Sequence, residues 1–193
     1  MPIPVVLASA SPRRRELLTR IIPSFEIRPS HVEEVRKPGE TPETFAVRAA
    51  ADKALHVLSG VDRGLVIGVD TIVVLGDEVL GKPVSVPEAR EMLHRLSGRE
   101  HQVISGLVLV EKPSGRTVSA AASTNVRFKN LAREEIEAYV KSGEPLDKAG
   151  AYGIQGSGGL FVREISGCYY NVVGLPLNLL YETLQTFGLT PEG

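Results

Sequence analysis

Leu65-Val66-Ile67-Gly68-Val69-Asp70-Thr71-Ile72-Val73-Val74-Leu75 is apolar at odd and even positions alike, the pattern of a strand covered on two faces in the middle of a sheet. Gly76-Asp77 supplies hairpin chemistry into Glu78-Val79-Leu80-Gly81-Lys82-Pro83, so this strand has an antiparallel neighbour. Pairing Leu75 with Glu78 sets Lys82 opposite Thr71 and diagonal to Asp70. Asp70 interrupts the apolar run. A carboxylate buried ionised and alone is very costly, so it must be paired, metal-bound or catalytic. An internal ion pair with lysine satisfies that demand as well as a reacting group does.

Upstream, Val5-Val6-Leu7 reads as a short buried strand that turns through Ala8-Ser9-Ala10 into a helix. Ser11 is a good N-cap and Pro12 suits the first helical position. Leu17, Leu18, Ile21 and Ile22 give it an apolar stripe. Arg13, Arg14 and Arg15 fill its first turn, where the helix dipole disfavours cations. Their presence makes sense where an anion binds at the helix N-terminus, a polyphosphate being the obvious small one. Solvated arginines that snorkel past the helix end are the alternative. Residues 24–30 read as a short strand and are followed by a polar loop carrying Glu33 and Glu34. Thr41 and Pro42 open a helix closed by Gly60, with an apolar face of Ala46, Ala49, Ala50 and Val57. Lys53 projects from that face, either snorkelling or pointing its ammonium into a cleft.

Downstream, Ser85 and Glu88 form a capping box for a helix that Gly98 ends. Extended segments over 102–111 and 117–129 are joined by a Pro-Ser-Gly turn. A helix is expected over 131–141, a glycine-rich turn over 156–159, a pair of strands over 160–165 and 169–173, and a last helix from Pro176 to about Phe187. Hairpins interrupt the helices, which excludes a purely parallel doubly wound sheet. The expectation is an α/β fold: a mixed twisted sheet surrounded by helices, in two lobes with a deep cleft, and a single domain over residues 1–193.

The chain has 193 residues, 42% hydrophobic and 23% charged, with a net charge of −1, so no global positive field exists to attract nucleic acid. The single cysteine, Cys168, excludes an internal disulfide framework and fits a reducing cytoplasm. The four histidines lack metal-binding spacing. No apolar run is long enough to span a bilayer. Walker, dinucleotide-binding and Gly-x-Ser-x-Gly signatures are missing.

Six stretches then agree on one pattern: Leu7-Ala8-Ser9-Ala10-Ser11-Pro12-Arg13-Arg14, Gly68-Val69-Asp70-Thr71, Gly81-Lys82-Pro83, Leu96-Ser97-Gly98-Arg99, Asp147-Lys148-Ala149-Gly150-Ala151-Tyr152-Gly153-Ile154-Gln155-Gly156 and Asn171-Val172-Val173-Gly174-Leu175-Pro176. In this order and spacing they resemble the Maf family of nucleoside triphosphate pyrophosphatases. The resemblance implies a fold like that of the house-cleaning inosine triphosphate pyrophosphatases. It also implies hydrolysis of a nucleoside triphosphate between its α and β phosphates, with a divalent cation, Mg2+ or Mn2+, as cofactor. By the family's motif Asp70 is the proton acceptor; Ser9, Arg13, Arg14, Lys53 and Lys82 line the phosphate site; and Glu34 joins Asp70 in contacting metal. Arg13, Thr71 and Gln155 look like the dTTP/UTP branch rather than the sister branch acting on 7-methyl-GTP. Val69 is a mild variation where alanine is common. The rival reading is a nucleotide-binding regulator of cell division or septum formation. Metal identity and oligomeric state, a homodimer included, stay open.

Overall fold

The central run forms β3 (Gly64–Leu75), and its neighbours explain why it tolerates no polar face. β1 (Val5–Leu7) lies parallel to it, pairing Val6 with Val66 and Leu7 with Ile67. On the outer side of β1 sits the two-residue parallel strand β2 (Glu26–Ile27), shorter than the expected 24–30. β4 (Glu78–Leu80) returns antiparallel along the end of β3 with Leu75 opposite Glu78, the register expected from the turn. That ladder ends at Val73 and Leu80, so the projected pairing of Lys82 with Thr71 does not form. β5 (Glu100–Lys112), β6 (Thr117–Phe128) and the antiparallel β7 (Val162–Ser166) complete a mixed sheet of seven strands among the described residues, in the order β2-β1-β3-β5-β6-β7 with β4 on β3.

The computed structural model describes residues 3–189, in two compact units. One comprises the chain through Asp70, Ser105–Ala122 and the part from Gly174 onward; the other comprises Thr71–Ile104 and Ser123–Val173.

In the first unit, strand alternation puts Val6 and Ala8, Val66, Gly68 and Asp70, and Gly106, Val108 and Val110 on common faces of their strands. α2 (Pro42–Leu58), started by Thr41 whose hydroxyl accepts the Thr44 N–H, packs on that surface through Ala50, Ala54 and Val57. The approach is backbone-close. A Cβ on Gly68 would lie 2.1 Å from the Ala50 carbonyl oxygen, and one on Gly106 would lie 2.2 Å from that of Ala46. Val5, Leu7, Leu65, Ile67, Leu107 and Leu109 on the alternate positions are also buried, so the sheet is covered on both faces. α1 (Pro12–Thr19) stops at Thr19, and Ile21 and Ile22 continue only as turns bonded to the Leu18 carbonyl. α6 (Leu177–Thr186) follows Pro176 as expected.

In the second unit, α3 (Val86–Leu96) and α4 (Arg133–Lys141) pack Ala89, Met92, Leu93, Leu96, Ile136, Tyr139 and Val140 against Val73, Leu80, Val103, Val126 and Phe128. One expectation fails here: residues 169–173 form a short helix, α5 (Tyr169–Val173), not a strand. Aromatic and β-branched composition favours a strand, but tertiary contacts override it. The Thr124 hydroxyl accepts the Cys168 N–H at 3.1 Å and the Asn171 side-chain amide at 3.0 Å. That same amide reaches the Val103 carbonyl at 2.9 Å. A buried amide with such demands is satisfied only if the chain coils.

His101 belongs to this second core. It is 2% exposed, its Nε2 lies 2.8 Å from the Tyr152 hydroxyl, and it packs edge-on against Phe128 and Tyr152. Desolvation pushes its pKa down to about 4 from 6.5. The folded state therefore refuses a proton that the unfolded chain takes up. Stability from this group is full above pH 6.5 and is lost as pH falls towards 4, by at most about 3 kcal/mol. Urea unfolding at pH 7 and pH 4.5 will show a smaller acid loss for His101→Gln than for the parent. A second expected outcome concerns the close helix approach: Gly68→Ala lowers stability by about 1–3 kcal/mol, measurable in the same titrations.

Candidate active site

Gly68 and Asp70 lie two residues apart on β3 and so share the face on which α2 rests. Ala50 covers Gly68, and one turn later Lys53 reaches Asp70. Its Nζ is 2.6 Å from Asp70 Oδ1 and also 2.6 Å from a Glu34 carboxylate oxygen. The Lys53 and Asp70 side chains are 10% and 4% exposed, whereas that of Glu34 is 44% exposed. One ammonium thus serves an inner and an outer carboxylate. Snorkelling is excluded for Lys53. Asp70 Oδ2 is buried and accepts no hydrogen bond among the described residues.

Glu34 reaches this position because its loop is tied to α2. Arg48, on the same helix, donates to the Val35 carbonyl at 2.7 Å and pairs with both oxygens of Glu40 and with Asp52. Glu40 further accepts the Lys37 N–H at 2.8 Å. The Arg48 contact, with help from that N–H, holds the Glu40 carboxyl down at about 2.

The start of α1 supplies the cationic side. Ser11 caps the helix, accepting the Arg14 N–H at 3.4 Å. The Arg14 guanidinium donates to the Ser9 hydroxyl at 3.2 Å and to the Gly174 carbonyl at 2.9 Å. Burial pushes its pKa below the ordinary arginine value, while Asp70 and then Glu34 pull it up and Arg13 adds to the lowering. Arg13 is half-buried and Arg15 is exposed on the same turn. Ser9, Arg13, Arg14, Glu34, Lys53 and Asp70 therefore belong to one unit, and hydrogen bonds or charge link Arg14 and Lys53 directly to the carboxylate pair.

Three expected residues lie in the other unit. Thr71 is half-buried, immediately after Asp70; Lys82 is exposed beyond the end of β4; Gln155 is exposed in the turn after Gly153. The Gly174 carbonyl that receives Arg14 was not legible from side-chain types, because any residue carries that acceptor.

The family model described as Maf-like protein matches residues 4–187. The chain belongs to the Maf family. A relative from Clostridioides difficile named dTTP/UTP pyrophosphatase is 46% identical over 183 residues, covering 95% of this chain and 94% of the relative. A relative of the same name from Thermococcus onnurineus is 51% identical over 178 residues, covering 92% and 95%. The solved structure titled "The structure of the Staphylococcus aureus Ham1 protein" matches with a TM-score of 0.52 at 19% identity, over 95% of this chain and 98% of that one. At that identity the likeness to Ham1 is one of fold, and it agrees with the mixed α/β architecture expected of a Maf chain.

Removing the ammonium from this Maf site would strand Asp70. Lys53→Met should destabilise the protein by about 3–5 kcal/mol, and adding Asp70→Asn should recover much of the loss. Denaturant midpoints of the single and double variants check this.

Proposed function

We propose that this Maf protein hydrolyses nucleoside triphosphates, dTTP and UTP foremost, between the α and β phosphates to the monophosphate and pyrophosphate. The names of its relatives support this reading. The observation that carries it is the state of Asp70: a buried carboxylate held through Oδ1 by Lys53, with Oδ2 free of hydrogen bonds among the described residues. Such an oxygen is suited to orienting a water and accepting its proton.

The reaction then balances simply. Water oxygen attacks the α-phosphorus, the bond to the bridging β-phosphate oxygen breaks, pyrophosphate leaves, and the water's proton passes to Asp70. Phosphoryl chemistry of this kind depends mainly on positioning and charge neutralisation. Arg13 and Arg14 at the α1 N-terminus, with Ser9, are proposed to grip the phosphates, guanidinium forks matching phosphate oxygens and the helix end adding its partial positive charge. Lys53 and Lys82 act as point charges. Thr71, Arg13 and Gln155 are proposed to select the substrate. The Gln155 amide can donate to the O4 carbonyl and accept from N3–H of uracil or thymine, a pattern that cytosine reverses.

Asp70 and Glu34 offer hard oxygen donors, which fit a divalent cation such as Mg2+ or Mn2+. No group of three or more His, Cys, Asp and Glu residues is gathered to hold such an ion among the described residues. An ion held by these two carboxylates would take its remaining ligands from phosphates and water. Bound there, it would supply charge neutralisation on the phosphates.

The test is pyrophosphate release from a panel of NTPs and dNTPs in Mg2+ and in Mn2+. The parent should favour dTTP and UTP. Asp70→Asn should lose about 10²–10⁴-fold in turnover while binding nucleotide within a few-fold of the parent. Near-parent turnover would remove Asp70 as the base. Tight nucleotide binding by the parent without pyrophosphate release would instead favour the regulatory reading.

A further inference from the structure

Gln155 occupies a turn closed by the Gly156 N–H donating to the Gly153 carbonyl at 3.3 Å. What holds both stems of this turn is a pair of side chains outside it. The Tyr139 hydroxyl donates to Glu144 Oε1 at 3.0 Å and accepts the Gly153 N–H at 3.1 Å, on the entering stem. Glu144 Oε2 accepts the Ser157 N–H at 3.0 Å, and Oε1 faces the Gly158 N–H at 3.5 Å, on the leaving stem. The Glu144 carboxylate is thus surrounded by donors from the loop and from Tyr139.

The loop's glycines fit this arrangement tightly. A Cβ on Gly156 would lie 2.2 Å from Glu144 Oε1, and one on Gly158 would lie 2.7 Å from the Tyr139 hydroxyl. Lys148 closes the other side: its chain lies where a Gly153 Cβ would be, 2.5 Å from Cε, and its Nζ binds the Glu144 main-chain carbonyl at 2.6 Å. Tyr139 is itself fixed, its ring edge-on to Phe161 with centroids 4.9 Å apart. Four glycines in seven residues would leave the segment 153–159 with great freedom in isolation. Glu144 and Tyr139 remove that freedom at both ends of the turn, and Gln155 is the exposed side chain it presents.

We infer that Glu144, acting with Tyr139, is a positioning residue for base selection: it fixes the turn that presents Gln155 to a pyrimidine ring. This rests on Gln155 being the base-reading residue. A pre-set amide distinguishes the uracil edge from the cytosine edge by direction of hydrogen bonding. A loose one can turn over and accept either.

The experiment compares kcat and KM for dTTP, UTP, CTP and GTP in the parent, Glu144→Gln, Glu144→Ala, Tyr139→Phe, Gln155→Ala and the Glu144→Gln/Gln155→Ala double variant, with thermal midpoints for each. Glu144→Gln keeps the size but replaces one of two acceptor oxygens with a donor, so the Ser157 N–H and the donors at Oε1 cannot all be satisfied. The expected result is a fall of about tenfold in the dTTP-over-CTP ratio of kcat/KM, the loss of roughly one well-placed hydrogen bond. It should come through KM for dTTP, with kcat changed less than about threefold. Tyr139→Phe should move the ratio in the same direction, and the double variant should be no less selective than Gln155→Ala alone. A uniform loss of kcat for all four nucleotides with the ratio preserved, or additive losses in the double variant, would overturn the inference while leaving Gln155 as base reader. An unchanged preference in Gln155→Ala would remove both. If Glu144→Ala fails to fold, Glu144→Gln and Tyr139→Phe still give the ratio.

Discussion

A single buried ammonium organises the candidate site of this protein. Lys53 has to neutralise Asp70 in surroundings where neither charge is well solvated, and it shares its remaining donors with Glu34. Burying two ions costs several kcal/mol each before their attraction is counted, so such a pair is a poor source of stability. Its value lies in what it leaves behind: one carboxylate oxygen fixed, the other open. Everything nearby serves this division. Arg48 and Glu40 anchor the loop that delivers Glu34, and Arg14 adds positive charge from the first helix.

Charge placement in the first unit follows one logic from several elements. The first helix begins with three arginines where cations are least welcome, and the burial of Arg14 deepens that tension. Ser9 and the Gly174 carbonyl occupy two of its donor groups. An incoming polyphosphate would relieve the unfavourable charge at the helix end and the desolvation of the guanidinium together.

Much of this was written plainly in the chain. The apolar run around Asp70, the Gly76-Asp77 turn and the caps at Ser11, Thr41 and Ser85 are local signals, and each began the element expected, though the helix from Ser11 ends at Thr19, short of Ile21 and Ile22. Lys53 stood out as a charge on an alanine face, where it could snorkel or point into a cleft. Asp70 stood out as a carboxylate that must be paired, metal-bound or catalytic, and Lys53 rather than the projected Lys82 proved to be its partner. The failures are of another kind. The segment 169–173 has the composition of a strand, but Thr124 and Asn171 favour a short helix there through contacts made far along the sequence. Lys82 was projected along a ladder whose length two-residue alternation does not determine. Glu144 gave no signal at all, since an acid in a Ser-Gly-Glu-Pro loop looks like solvent-facing charge until the main-chain donors around it are seen.

The contact of α2 with Gly68 and Gly106 sets a gauge, since the spacing between helix and sheet is fixed by carbonyl oxygens of Ala46 and Ala50. Side-chain packing can drift, because a swelling on one surface is matched by a trimming on the other. A carbonyl oxygen cannot be trimmed by any substitution. A side chain at either glycine therefore has no local suppressor, and the distance over which Lys53 must reach is insulated from compositional change along the rest of the helix. The most exacting dimension of the site is thus entrusted to the part of the polymer that every residue has in common.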